Sequence, residues 1–185
     1  MTSIWWIRRD LRLTDNLALH YALEAGSVIP VFILDPAFSS QSPRRSHFLY
    51  EGLHALDQEL RKRNSYLVIR KGKPLEELRN LFESTRSETI FAEEDFTPLA
   101  RERDALIARI LPLQLIHGQT VHHPKHVLKP DGRPYTVYTP YSKTWKAKLN
   151  GLKLISAPEE ITTPTGIRSD VLPAFETNSL FPAGE

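Results

Sequence analysis

The chain has 185 residues, 41% hydrophobic and 25% charged, with 24 basic against 22 acidic side chains and no cysteine. That is enough to fold one globular domain without staples, and it excludes disulfides, thiolate metal sites and cysteine nucleophiles. The near-neutral charge argues neither for nor against nucleic acid. With no run suited to a signal peptide or a bilayer span, the expectation is a cytoplasmic protein without a membrane partner.

Five short apolar runs rich in β-branched and aromatic residues follow one another: Ile4 to Ile7, Val28 to Leu34, Tyr66 to Ile69, Thr89 to Ala92 and Leu113 to Ile116. They are continuous rather than alternating, the pattern of strands covered on both faces of a parallel sheet. Between them lie helical stripes. Leu17, Ala18, Tyr21 and Ala22 follow Asp15, a candidate N-cap. Leu49, Leu53, Leu56 and Leu60 make an amphipathic helix, and Pro74 opens a third with Leu75, Leu78 and Phe82 on one side. Thr97 and Pro98 open a fourth, whose expected stripe is Leu99, Leu106 and Ile110. Such alternation implies right-handed crossovers and a doubly wound, Rossmann-like parallel α/β sheet.

After Gly118 the pattern stops. A short helix is expected around Trp145, within Ser142 to Leu149, followed from Asn150 to Glu185 by a proline-rich tail of linker composition. Its residues Val171, Leu172, Phe175, Leu180 and Phe181 lack periodicity and cannot form a second core. Shallow or partner-mediated contacts are expected of them, with first proteolysis after Gly151.

The glycine spacings of dinucleotide and P-loop fingerprints are absent. A doubly wound sheet still binds ligands beyond the carboxyl ends of its strands, which directs attention to three segments. Arg8 to Arg12 can grip an anion or a neighbouring domain; it is equally a solvated loop in which Asp10 pairs locally. Asp35 to Arg45 precedes the longest helix, whose N-terminus with Arg44 and Arg45 suits a phosphate, carboxylate or phenolate, or is simply a capped helix end. Glu93, Glu94 and Asp95 can accept from a ring N–H or form a solvated turn. His122, His123 and His126 give no metal site by sequence, because no carboxylate lies at ligand spacing and Pro124 breaks a regular helix. Trp145 with Lys143, Lys146 and Lys148 reads as a surface helix with one anchor more readily than as a nucleic-acid stripe.

These segments together resemble the N-terminal domain of the DNA photolyase and cryptochrome family. Trp6 through Leu19, with its R-D-L-R and D-N elements, is similar to the family's opening signature, and Phe32 through Pro36 to its second strand. Arg44-Arg45 with Phe48, Leu49 and Leu53 to Leu60 resembles its chromophore-side helix. Asp95 through Asp104 resembles its D-x-x-P-x-x-x-x-R-D stretch, and Gly132 through Tyr141 with Trp145 its end-of-domain signature.

The resemblance implies strand order 3-2-1-4-5, an α/β antenna domain over residues 1–130 and an interdomain linker over 131–185. It implies a light-harvesting pigment that passes excitation to FAD in a separate helical domain, which binds the damaged DNA and is joined in cis or in trans. Nothing in this sequence resembles that domain, so a fragment or a split half, without repair activity alone, is expected. The pigment residues implied are Arg8, Leu34, Asp35, Arg44, Arg45, Phe48 and Asp95. Leu99 and Ala100 stand where folate-using members place polar groups, which favours 8-hydroxy-5-deazaflavin or FMN over methenyltetrahydrofolate. The alternatives are an empty site in a cryptochrome-type interaction module, or an adenine-nucleotide-binding enzyme of similar fold, for which no H-I-G-H or S-G-G-x-D-S element is found.

Overall fold

In the computed structural model, which describes residues 1–38, 42–149, 151, 154–177 and 180–184, the apolar runs become strands of one all-parallel sheet. The strands are β1 (Thr2–Ile7), β2 (Ser27–Leu34), β3 (Val68–Lys71), β4 (Thr89–Glu93) and β5 (Leu113–Ile116), in the order β3-β2-β1-β4-β5. This is the order expected. In the central strands both faces are covered: Ile4 of β1 sits beside Ile29 of β2 and Ile90 of β4, and all three are fully buried. The edge strand β5 departs from that pattern, since Gln114 and Leu115 are exposed. The third strand starts two residues later than its apolar run, because the Leu67 N–H donates to the Asp57 carboxylate rather than to a ladder.

The connections are α1 (Leu17–Glu24), α2 (Pro43–Arg61), α3 (Pro74–Thr85) and α4 (Pro98–Ala108), and α5 (Tyr138–Ala147) follows the sheet. Proline stands at the first turn of α2, α3 and α4, where its missing N–H costs nothing. Two clusters fill the faces. Ala18, Leu19, Ala22, Leu53, Leu56 and Leu60 of α1 and α2 pack on Trp5 and Ile7, while Leu78, Leu81 and Ile107 of α3 and α4 pack on Ile4, Trp6 and Ile90.

Two local expectations are corrected. The cap of α1 is Asn16, whose Oδ1 accepts the Leu19 N–H at 2.9 Å; Asp15 lies one residue earlier, at φ 50°, and gives its N–H to Ile155 O at 2.7 Å. The buried face of α4 is Ala100, Asp104 and Ile107, whereas Leu99, Leu106 and Ile110 are exposed.

The tail is held more closely than its linker composition suggests. Asn150 and Glu185, its expected limits, lie outside the described residues, but the stretch from Ile155 to Asp170 is bound along the sheet. Pairing of β2 with β3 begins only at Val31, and the tail takes the place beside the earlier residues: Val28 N–H donates to Thr162 O at 2.9 Å, and Thr163 Oγ1 to Val28 O at 2.8 Å. It then follows the outer side of β3, where Asp170 N–H donates to Ile69 O and Ile69 N–H to Ser169 Oγ. Ile161 is fully buried in the α1–α2 side of the core. Of the five apolar tail residues singled out by sequence, Leu172 packs against that cluster and Phe175 meets the His54 ring at 5.6 Å, while Val171, Leu180 and Phe181 are exposed. No helix among the described residues is long and apolar enough to cross a membrane.

Candidate functional site

Beyond the carboxyl ends of β1, β2 and β4 the chain leaves a cavity of about 530 Å³, a size that suits a bound small molecule. The ends of these strands supply Trp6, Ile7, Arg8, Phe32, Leu34 and Asp35; α2 supplies Arg45, Leu49 and Tyr50; the start of α4 supplies Leu99, Ala100 and Arg103. Four arginines (Arg8, Arg9, Arg45, Arg103) face two carboxylates (Asp35, Asp95), so the walls are flat apolar surface with an excess of positive charge.

That charge is built in below the surface. The Arg8 side chain is 6% exposed, and its Nη1 donates to the buried Asp104 Oδ2 at 2.6 Å. Arg103 shares the same carboxylate, with Nε 2.9 Å from Oδ1. Both guanidiniums lie over the Trp6 ring, at 4.9 and 4.8 Å from its centroid, a cation–π arrangement that spreads charge along one wall. One carboxylate thus serves two guanidiniums. Arg8 Nε and Nη2 are buried with no hydrogen-bond partner among the described residues. Buried donors left without acceptors are costly, and here they are enclosed against Trp6, so Arg8 acts on the cavity through its fixed positive charge, which fits an anionic or acceptor-rich ligand.

Asp95 forms the opposite polar point. Burial works to raise its carboxyl, but the Thr97 backbone and side chain and the Arg9 and Arg8 guanidiniums outweigh this and hold it below the usual carboxylate range. Thr97 N–H donates to Oδ1 at 2.9 Å. An ionised Asp95 accepts from a ring or hydroxyl donor. Asp35 similarly takes the Ala37 N–H at 2.9 Å.

Of the residues named from sequence, Arg8, Leu34, Asp35, Arg45 and Asp95 line this cavity. Arg44 and Phe48 do not; with Glu176, Thr177, Leu180 and Phe181 they line a second groove between α2 and the tail, which Arg45 also borders. Phe48 is exposed there because it falls on the outer side of α2, away from the stripe of Leu49 and Leu53. Trp6, Phe32, Leu49 and Tyr50 also line the first cavity; by sequence the first three read only as parts of strand or helix signatures and Tyr50 carries no signal beyond its place near a helix start.

The neighbouring charged segments do other work. Asp10 is neither solvated nor paired with a guanidinium: it is fully buried, accepting the Arg8 N–H at 3.0 Å and Asn16 Nδ2 at 3.1 Å, which fixes the turn after β1. Glu93 is fully buried too, under the first turn of α1. Burial and the nearby Asp10 raise its pKa to about 7, against the opposing pull of the Ala18 N–H, Arg12 and the Leu17 N–H. A Cβ on Gly118 would collide with both Glu93 carboxylate oxygens, which explains a glycine there. Glu94 turns the other way and meets His123, with Nε2 3.1 Å from Oε2.

Fold and cavity define the class: a doubly wound α/β domain with a cavity of ligand size at the carboxyl edge of its sheet. The DNA photolyase model matches residues 3–164, and the chain belongs to that family. It is 31% identical over 171 residues to a deoxyribodipyrimidine photo-lyase from Synechococcus, covering 88% of this chain and 34% of that protein. Among solved structures, a bacterial class III photolyase from Agrobacterium tumefaciens matches with a TM-score of 0.83 at 30% identity, over 95% of this chain and 37% of that one. An archaeal photolyase from Sulfolobus tokodaii, described with two FAD molecules and an implied novel light-harvesting cofactor, matches with a TM-score of 0.76 at 26% identity, over 100% of this chain and 44% of that one. The chain therefore corresponds to the N-terminal part of such proteins, about a third of the length of the curated relative.

Proposed function

We propose that this chain is the light-harvesting domain of a photolyase-like protein and that its cavity holds a flavin-type pigment, 8-hydroxy-5-deazaflavin, FMN or FAD, in preference to methenyltetrahydrofolate. The observation that carries the reading is the cavity wall itself, where four arginines face two carboxylates and the Arg8 guanidinium is fixed by Asp104 over the Trp6 ring. When bound, such a pigment absorbs light and passes the excitation on. The chain's own residues orient and tune it. Arg8 by its fixed positive charge and Arg45 by charge-assisted hydrogen bonds favour an anionic ring or phosphate, and Asp95 accepts from a ring N–H or a ribityl hydroxyl. Trp6, Phe32, Leu49 and Leu99 supply apolar surface and exclude water. Leu99 and Ala100 offer no polar side-chain atom to a pterin, which weighs against folate. The archaeal relative's description, with two FAD molecules and an implied novel light-harvesting cofactor, supports a flavin as the pigment.

The excitation acceptor in this reading is FAD in a helical domain, joined in cis or in trans, which alone touches damaged DNA; the chain by itself repairs nothing. Absorption spectra of the purified protein, followed by reconstitution with deazaflavin, FMN, FAD and the folate, test this directly. Tight uptake of at least one flavin-type pigment is expected. Tightest binding of the folate, or no binding of any pigment, overturns it; ATP serves as the competitor that reports a nucleotide enzyme instead.

A further inference from the structure

We propose a second site on this chain, a zinc-type metal site formed by Glu94, His117 and His123. Glu94 follows β4, His117 follows β5, and His123 lies in the loop beyond, so the topology gathers residues far apart in sequence. One ligand atom of each lies within 4.8 Å of the others. His123 Nε2 and Glu94 Oε2 are already 3.1 Å apart, and a tetrahedral ion with bonds of about 2.0–2.1 Å holds its ligand atoms roughly 3.4 Å apart.

The independent observation is His117. Both of its ring nitrogens are buried, and the one acceptor that reaches the ring is the Thr120 backbone, so one nitrogen has no partner among the described residues. An ion on that nitrogen gives its lone pair a partner. Phe96 packs against both His117 and His123, at 6.0 and 5.1 Å between ring centroids, and gives the cluster an apolar wall. The exposed His126 ring lies 5.5 Å from that of His123, outside the three-residue cluster.

Two imidazoles and one carboxylate select a borderline ion such as zinc, cobalt or nickel over magnesium or calcium. Binding has a definite cost. His123 Nδ1 accepts the Lys125 N–H at 3.1 Å, so its Nε2 carries the proton shared with Glu94; the ion replaces that proton, and Nδ1 must then take a proton and give up the Lys125 bond. Affinity therefore falls below that of a preformed structural zinc site. Bound, the ion ties the ends of β4 and β5 to the following loop, next to Asp95 in the pigment cavity wall.

Zinc and cobalt titration of the untagged, chelator-treated 185-residue chain tests this, read by calorimetry and by the visible bands of cobalt. One ion per chain is expected, with tetrahedral-type cobalt bands. His123→Ala and Glu94→Gln should each weaken binding by at least about tenfold, while His122→Ala, in the same loop but outside the cluster, binds as wild type. His117→Ala should abolish the cobalt bands; should it fail to fold, Glu94→Gln decides at a half-exposed position. No zinc uptake by wild type, uptake unchanged in His123→Ala and Glu94→Gln, or loss in His122→Ala equal to theirs overturns the proposal. The outcome does not depend on which pigment, if any, fills the cavity.

Discussion

Arg8 and Arg45 border the same cavity but are embedded differently, and their replacement separates stability from binding. Arg45 is exposed at the start of α2, so Arg45→Ala should leave the melting temperature unchanged while weakening a flavin-type pigment by about 1.5–3 kcal/mol, the range for a charge-assisted hydrogen bond. Arg8→Ala removes a buried partner of Asp104 and should also destabilise the fold, by about 3 kcal/mol in denaturant titration. Equal effects of the two substitutions on the melt would contradict this assignment. Glu93 gives a pH test. Its pKa is raised to about 7, so between the ordinary carboxyl value and 7 the folded state holds more proton than the unfolded state. Stability linked to Glu93 is present in full at acid pH and is lost as pH rises through 7, by at most about 3 kcal/mol. Glu93→Gln should therefore raise the melting temperature at pH 8 relative to wild type and change it little at pH 4, a comparison that thermal melts at the two pH values make directly.

At the scale of elements, what was legible in the sequence follows from how each element is held. Strands buried on both faces must be apolar throughout, so β1, β2 and β4 stand out as continuous runs. The helix α4 misleads because it packs with one polar residue inward: Asp104 spends a core-facing position on Arg8 and Arg103, and Leu99 is left on the cavity rim. The tail was illegible for a different reason, since it is held by scattered single hydrogen bonds, many of them to or from side chains such as Arg63, Tyr66, Thr163 and Ser169, which leave no apolar period. It has a clear task there, covering the outer edge of β3, an unpaired edge that otherwise invites pairing with another chain. Proteolysis should then leave a resistant fragment reaching about residue 170, beyond the Gly151 cut expected from composition. Ile161→Ala, which opens a cavity in the core, should cost about 2–5 kcal/mol and move the first cuts back towards Gly151. A first cut at Gly151 in the unmodified chain, with the tail lost and the melt unchanged, would show that the edge cover contributes nothing.

Over the whole molecule, the cavity joins both faces of the fold: its walls come from the ends of three strands and the first turns of α2 and α4. The site was legible only as far as those ends could be located. Arg8, Asp35, Arg45 and Asp95 each follow or flank a recognisable strand or helix start, whereas Glu94 and His123, 29 positions apart, are brought together only by the pairing of β4 with β5 and the loop after it. A ligand that fills the cavity bridges these elements and binds only the folded chain, so it must stabilise the whole by linkage. At a concentration about a hundred times its Kd the gain is about 2.7 kcal/mol. For a chain of this size each kcal/mol moves the melting temperature by about 2–4 °C, which gives a shift of roughly 5–11 °C. Flavin-type pigments should produce that shift and the folate should not. Because Arg8, fixed by Asp104 over Trp6, sets the positive charge of the cavity wall and Arg45 adds to it from the rim, the shift should shrink in Arg45→Ala and be lost in Arg8→Ala. A pigment that shifts wild type and Arg8→Ala equally would be seated somewhere other than this cavity.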